Sequence, residues 1–228
     1  MTAAPGEVRP AAIVVDLWET LVPLPREAKD GAFLATAAAL GVAPTVLREP
    51  WARTRPRRET GDLVTYLGDL ARTLGLTWSP EGIAAAVAAR RAHHGAGFRT
   101  PHDDGLQMLA GLRRRGVPVA VVSNCSSDVA EMLAGSPLAE LIDAPILSAR
   151  SGVMKPDPAV YRLAAAALDV APERCVYVGD GLDDELGGAV RAGMHAVLVD
   201  RGTPVAWDGP RVVSLTELLT LPWDAPSH

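Results

Sequence analysis

The residues of this chain that could do chemistry stand at the ends of short apolar segments. Asp16 follows the apolar run 11–15, and Ser123 and Asn124 follow the run 117–122. A carboxylate buried without a partner is costly, so we expect a cation beside Asp16. The carboxyl ends of parallel strands line the crevice where open α/β sheets bind ligands. The pattern predicts functional groups at such a crevice, although Asp16 alone would equally suit an acidic cap of the next turn.

Two further segments supply a cation and more acids. Lys155 lies between Pro156 and the residues 152–154, and it is one of two lysines among 22 basic residues. A compact ammonium group suits a phosphate oxygen or a carboxylate. The run 179–185 follows the apolar segment 175–178, and Asp180 is the first acid after that predicted strand. We assign Asp183 and Glu185 to a helix N-terminus, where acids complement the helix dipole.

The elements that must position these residues follow from hydrophobic periodicity. Strands are predicted over 11–17, 117–122, 145–148, 174–178 and 195–199, alternating with helices over 103–115, 127–134, 158–168 and 183–192. Residues 24–99 predict helices only, over 27–40, 44–56, 61–74 and 80–94. The expected fold class is therefore α/β, a Rossmann-like parallel sheet core over 1–23 and 100–228 with an all-helical cap domain over 24–99.

The four segments, in this order, resemble the four motifs of the haloacid dehalogenase-like hydrolases. The resemblance covers nearly the whole chain and implies that Asp16 is a nucleophile that forms a covalent aspartyl ester. It implies that Thr20 steadies the loop of the nucleophile and that Ser123 and Asn124 hold the transferring group. Lys155 matches the third motif, and the helical insertion matches a cap that closes over the active site and selects the substrate.

The resemblance also implies a magnesium site. Its ligands would be Asp16, the backbone carbonyl of Trp18, Asp180 and Asp184, a set of hard oxygen donors that suits Mg²⁺. Paired acids are needed for a metal and not for carbon–halogen cleavage, so they favour Mg²⁺-dependent hydrolysis of a small phosphorylated metabolite through an aspartyl phosphate.

Trp18 departs from the phosphatase pattern, which has a second Asp two residues after the nucleophile. That Asp protonates the leaving group, and such acid–base help is worth ~10²–10⁴ in rate. Relatives that cleave carbon–halogen bonds have an aromatic residue there. A metal-independent 2-haloacid dehalogenase-like hydrolase and a catalytically impaired binding or regulatory protein therefore stay open. Glu19 is adjacent to the position where the phosphatases have the second Asp, and it is a candidate proton donor. Trp18 and Glu19 are both candidate substrate contacts.

Composition and charge limit the partners. The 228 residues carry a net charge of −5 and 48% hydrophobic content, which fits one globular enzyme and argues against nucleic-acid binding. There is no apolar run near ~20 residues that would predict a membrane span. Cys125 and Cys175 form no close pair, which favours the cytoplasm. Arg57 and Arg58 of the cap are candidate contacts for a small anionic substrate, and the protein is expected to be a monomer or homodimer.

Overall fold

A single parallel sheet forms the centre of the molecule. The computed structural model describes residues 10–222. Its six strands lie in the order β3-β2-β1-β4-β5-β6, and every neighbouring pair is parallel. The strands are β1 Ala12–Asp16, β2 Val119–Ser123, β3 Ala144–Leu147, β4 Cys175–Gly179, β5 His195–Val199 and β6 Arg211–Val212. This sheet confirms the predicted Rossmann-like α/β fold.

The central strands are apolar on both faces because helices cover both faces. Side chains alternate along β1, so that Ile13 and Val15 join one hydrophobic cluster while Ala12 and Val14 join the other. The first cluster includes residues of α6 Asp103–Arg114 and α7 Val129–Ala134, and the second includes residues of α9 Pro158–Ala167 and α10 Glu185–Arg191. The short helix α8 Ser148–Ser151 follows β3. A sheet buried in this way exposes functional groups only at the ends of its strands.

Residues 24–99 are helical, as the periodicity predicts. The helices are α1 Arg26–Ala39, α2 Pro44–Arg53, α3 Arg55–Glu59, α4 Leu63–Thr73 and α5 Pro80–Arg99. We call these five helices the helical segment. They bury a hydrophobic cluster of their own, which contains Phe33, Leu47 and Leu67. The helix predicted over 44–56 breaks at Thr54, and the last helix runs on to Arg99 instead of ending near 94. The other predicted boundaries of this segment differ from the observed ones by at most two residues.

The C-terminal part contains two elements that the sequence did not predict. Strand β6 has only two residues and extends the sheet beside β5. A 3-10 helix, Leu215–Thr220, then buries Leu215 and Leu218 near α6. Both elements are too short to produce a clear hydrophobic period, which is why pattern reading misses them. The sequence predicts a loose lead-in over residues 1–10 and a loose tail after Pro222; apart from Pro10, both lie outside the described residues.

The lengths and polarities of the helices bear on membrane insertion. Within residues 10–222, no single helix is long and apolar enough to cross a membrane. Helices α1 and α2 satisfy the length and composition criteria only as a pair, which is bent by 119°.

Candidate active site

Three buried carboxylates meet at the carboxyl end of the sheet. Asp16 ends β1, Asp180 follows β4, and Glu185 begins α10. One carboxylate oxygen from each residue lies within 4.8 Å of the others. All three residues are less than a tenth exposed. β1 and β4 are neighbours in the sheet, so their ends place the first two acids side by side.

Lys155 supplies the cation that Asp16 was expected to need. Its Nζ contacts Oδ1 of Asp16 and donates a 2.5 Å hydrogen bond to Oε2 of Glu185. It also lies 3.1 Å from the Tyr177 hydroxyl. Burial alone would lower the pKa of Lys155, but Asp16 and Glu185 hold that pKa above its usual value. The ammonium group is therefore charged and fixed at the centre of the acids.

One lysine does not neutralise the cluster. Burial raises the pKa of Asp16 to about 7, Lys155 opposes this increase, and Glu185 and Asp180 add to it. Burial and the charge of Glu185 likewise raise the pKa of Asp180 to about 6. Carboxylates that share a low-dielectric site repel one another unless a cation separates them. The donor set and its excess negative charge therefore fit a hard divalent cation such as Mg²⁺.

The structure places Glu185, and not Asp184, with the other acids. The Asp184 side chain is 63% exposed and pairs with Arg191 at 2.9 Å, so the expectation that Asp184 is a metal ligand does not fit this geometry. The assignment of Glu185 to the helix N-terminus alone was also wrong. Its Oε2 accepts from the Tyr177 hydroxyl at 2.6 Å, and its Oε1 accepts from the Gly181 amide at 2.9 Å.

The loop before α10 explains this exchange of roles. Asp183 and Asp184 both have a φ of 56°, and Gly181 has a φ of 83°. These left-handed residues turn the chain so that α10 begins with Glu185 directed into the site. Gly179 leaves the necessary room, because a Cβ there would lie 2.1 Å from Oε1 of Glu185.

Asn124 holds the backbone of the lysine loop. Its Nδ2 donates to the Lys155 carbonyl at 2.9 Å, and its Oδ1 accepts from the Lys155 amide at 2.7 Å. Ser123 and Thr20 are fully buried, and no hydrogen bond to a residue within 10–222 satisfies either hydroxyl. Asn124 lines the cavity described next, whereas Ser123 and Thr20 are not among its lining residues.

A cavity of about 360 Å³ separates the acids from the helical segment. Trp18 forms part of its wall and makes edge-to-face contacts with His94 and Phe98, at centroid distances of 5.6 and 5.2 Å. Glu19 also lines the cavity, with a φ of 59° and with its Oε1 accepting the Leu24 amide at 2.7 Å. Trp18, which stands where the phosphatase pattern has a second Asp, therefore lies within the site itself.

The two arginines proposed for the substrate occupy different environments. Arg57 is 63% exposed, pairs with Asp69 at 3.1 Å and does not line the cavity, so its predicted role does not fit the structure. Arg58 does line the cavity. Its guanidinium is buried over the Trp51 ring, 4.4 Å from the centroid. The break at Thr54 begins a new helix, and its register directs Arg58 inward and Arg57 to solvent.

Sequence reasoning missed other residues of the cavity wall, among them Lys29, Arg90 and His94. The signal for Lys29 was available, since the scarcity of lysine that singled out Lys155 applies to it equally. The helix predicted over 80–94 ends at His94, but α5 continues for five residues beyond it. Nothing in the local pattern distinguishes Arg90 from the other arginines of the helical segment.

Residues 10–193 match the family model of the haloacid dehalogenase-like hydrolases. The chain belongs to this family and is a hydrolase.

Relatives within the family include phosphatases. The chain is 31% identical over 202 residues to a glyceraldehyde 3-phosphate phosphatase of Methanopyrus kandleri, covering 84% of each protein. It is 42% identical over 95 residues to a phosphoserine phosphatase of Thermus thermophilus, but that match spans only 41% of this chain and 38% of the relative. Among solved structures, a mutant of CbbY from Rhodobacter sphaeroides in complex with xylulose-(1,5)bisphosphate is 27% identical with a TM-score of 0.64, covering 92% of this chain and 96% of that one.

Proposed function

We propose that this protein is a Mg²⁺-dependent hydrolase of small phosphate esters that works through an aspartyl phosphate on Asp16. The observation that carries the proposal is the buried cluster of Asp16, Asp180 and Glu185 around Lys155, at the floor of a cavity large enough for a small metabolite. The similarity to phosphatases over most of the chain supports it.

In the proposed reaction, Asp16 attacks the phosphorus atom, and the bond from phosphorus to the leaving oxygen breaks. Lys155 orients the nucleophile through its contact with Oδ1 and offers positive charge to the phosphoryl oxygens. Asn124 keeps Lys155 in position by holding both polar groups of its backbone. Water then attacks the phosphorus atom of the aspartyl phosphate, and the bond from phosphorus to the Asp16 oxygen breaks. This step releases free Asp16 and phosphate, which keeps the protons of the water.

Asp16, Asp180 and Glu185 would hold the metal, together with the backbone carbonyl of Trp18. Bound Mg²⁺ would neutralise the negative charge that accumulates on the phosphoryl group. Glu185, and not Asp184, is therefore proposed as the third acidic ligand, because only Glu185 lies within the cluster.

Trp18 determines which leaving groups are suitable. The indole ring offers no acidic proton of useful strength, and one oxygen of Glu19 is engaged by the Leu24 amide. We therefore expect the leaving oxygen to depart with little help from a side chain. Aryl and acyl phosphates, whose leaving groups are weakly basic, should react faster than sugar phosphates.

Residues 24–99 are proposed to act as the cap, and residues 1–23 and 100–228 as the core. Direct contacts join the two parts around the cavity: Arg55 bonds Asp183 at 2.6 Å, and Arg90 bonds Ser126 at 2.8 Å. A cap domain can open to admit substrate and close to exclude water.

A second candidate function is metal-independent hydrolysis of a carbon–halogen bond. The observation that favours it is the aromatic ring of Trp18, which lines the cavity with Asp16 and His94 and packs against Phe98 behind it. Halide leaves without protonation, so Trp18 would carry no penalty in that reaction.

The deciding experiment measures phosphate release from aryl, acyl and sugar phosphates, and halide release from 2-haloacids, each with Mg²⁺ or EDTA. We expect Mg²⁺-dependent phosphate release that is lost in Asp16→Asn and kept in Asp30→Asn, an exposed carboxylate outside the cavity. Halide release that is indifferent to EDTA would establish the second candidate. No turnover of either kind would favour a binding or regulatory protein and contradict the proposal.

A further inference from the structure

The charges that line the cavity are segregated between its two sides. The floor, formed by the loops that follow the strands and by α10, carries five carboxylates and one cation, which are Asp16, Glu19, Asp180, Asp183, Glu185 and Lys155. The ceiling, formed by the helical segment, carries four cations and one carboxylate, which are Lys29, Arg55, Arg58, Arg90 and Glu59. A phosphoryl group at Asp16 uses the floor, and the ceiling keeps its excess of positive charge.

One ceiling cation is already paired across the cavity. Arg55 lies 2.6 Å from Asp183 and 2.9 Å from Glu59. Lys29 is exposed at the cavity wall, and among residues 10–222 it forms no ion pair. Arg55 therefore joins the helical segment to the floor, whereas Lys29 remains available to a ligand.

Arg58 is buried but incompletely bonded. It donates to the Trp51 carbonyl at 2.6 Å and to Glu59 at 3.2 Å. Its Nε, however, is buried without a hydrogen-bond partner in the part of the chain that the structure describes. Buried donors are normally satisfied, so this atom points to a missing acceptor.

Arg90 shows the same deficit. It donates to Ser126 at 2.8 Å. Its Nε lies 3.5 Å from Oδ2 of Asp128, close enough for an ion pair, but neither atom has a hydrogen-bond partner among residues 10–222. The charge of Arg90 is therefore partly balanced, while its hydrogen-bonding capacity is left incomplete.

His94 provides a third unsatisfied atom on the same side. It is 4% exposed, it lines the cavity, and its Nδ1 finds no partner among the described residues. Burial lowers the pKa of His94 to about 3, and Arg90 is the largest of the nearby charges that add to this effect. The ring is therefore neutral, and its nitrogen can donate to an anion.

We infer that the substrate carries a second anionic group, a carboxylate or a second phosphate, which binds the ceiling through Arg58, Arg90 and His94. The Trp51 ring lies 4.4 Å from the Arg58 guanidinium and 6.0 Å from that of Arg90, and it supports both. Lys29 adds charge from the exposed wall. This inference rests on the proposed function, because it places the ester phosphate at Asp16.

The test compares aryl phosphates that differ in the group opposite the phosphate. 4-Carboxyphenyl phosphate and 1,4-phenylene bisphosphate carry the second anion, and 4-(methoxycarbonyl)phenyl phosphate is the neutral match. Their dissociation constants are measured by calorimetry with Mg²⁺ on the full chain carrying Asp16→Asn, which prevents turnover. We expect one or both anionic probes to bind at least ~10-fold tighter than the neutral one, the value of one charged hydrogen bond. The two anionic arms identify whether carboxylate or phosphate is preferred.

Matched variants then locate the effect. Adding Arg58→Met should reduce the preference to near unity, while adding Arg57→Met, its exposed neighbour, should leave it unchanged. Should Arg58→Met fail to fold, Lys29→Met at an exposed position should still reduce the preference. Equal affinities for the three probes on the Asp16→Asn chain would overturn the inference, as would a preference that Arg58→Met and Lys29→Met leave intact.

Turnover separates this inference from the function on which it rests. Mg²⁺-dependent hydrolysis of the neutral probe by the unmodified protein, with equal binding of all probes, would retain the phosphatase and remove the second anionic site. Conversely, Arg58-dependent selective binding without hydrolysis of any probe would retain the site and contradict the phosphatase.

Discussion

Replacing Lys155 with methionine tests whether the buried cation holds the acidic cluster together. The lysine side chain is 5% exposed, and it contacts Asp16 and Glu185, whose side chains are 6% and 2% exposed. Methionine fills similar space without charge and leaves three carboxylates uncompensated. We expect the Lys155→Met variant to fold less stably in EDTA and to lose activity.

The magnitude follows from the burial of the cluster. Removing one partner of a buried ion pair costs about 3–5 kcal/mol, because the remaining charge cannot be solvated. For a chain of 228 residues, each kcal/mol shifts the melting temperature by about 2–4 °C, so the expected loss is about 6–20 °C. Mg²⁺ should restore part of this loss, because it supplies the missing positive charge to the same oxygens.

The stability lost in Lys155→Met should depend on pH in a defined direction. Without Lys155, the pKa of Asp16 rises further above its value in the unfolded chain. A carboxyl group with a raised pKa favours the folded state when protonated, and this contribution is lost as the pH rises through the folded pKa. The destabilisation by Lys155→Met should therefore be larger at pH 8 than at about pH 5, near the unfolded pKa of a carboxyl group.

The assay is thermal and urea unfolding at pH 8 and pH 5, with EDTA and with Mg²⁺. Lys29→Met is the matched control, since the only other lysine is exposed, and its loss should stay within about 0.5 kcal/mol. A loss below about 1 kcal/mol for Lys155→Met, or one equal to that of Lys29→Met, would refute the role of the lysine as the central cation.

Three further predictions concern the same site. Calorimetric titration should show that Glu185→Gln weakens Mg²⁺ binding at least ~10-fold, the value of one charged ligand, whereas Asp184→Asn leaves it unchanged; the reverse result would restore Asp184 as the ligand. Trp18→Asp should raise kcat/KM for alkyl phosphates by ~10²-fold, and no gain would show that position 18 does not limit protonation. In EDTA, the contribution of Asp16 to the free energy of unfolding should fall as the pH rises from about 4 to 7, since its folded pKa of about 7 exceeds the unfolded value. Free energies of unfolding measured by urea titration for the protein and for Asp16→Asn should therefore coincide at pH 4 and diverge towards pH 7. Parallel pH dependences of the two proteins would contradict the raised pKa.

Local patterns were sufficient for five of the six strands of the sheet, all but β6. The strand predicted over 195–199 coincides with β5, and the boundaries of β2 and β4 differ from the predictions by one or two residues. Strands buried on both faces produce continuous apolar runs, and the glycines and polar residues that end them are local signals. The same logic predicts that Asp16 and Lys155 converge, because parallel strands place their carboxyl ends at one edge.

The third acid could not be chosen in this way. Asp184 and Glu185 are adjacent and chemically similar, so spacing alone cannot decide which one turns inward. The decision depends on the left-handed residues before α10 and on the space above Gly179. A shift of one residue in a helix turns a side chain by about 100°, which exchanges a buried ligand for an exposed one.

What the sequence by itself determined was the family, the order of the motifs, and the nature of Asp16 and Lys155, because these depend on residue types at the ends of apolar runs. The tertiary structure decided which residues form the ceiling of the cavity, opposite Asp16. Arg58 lies in α3, whereas Arg90 and His94 lie one turn apart in α5, about thirty residues further along the chain. No local period relates Arg58 to these two residues, or any of the three to Asp16. Their convergence depends on how the helical segment packs over the sheet, a consequence of long-range burial that sequence pattern does not record.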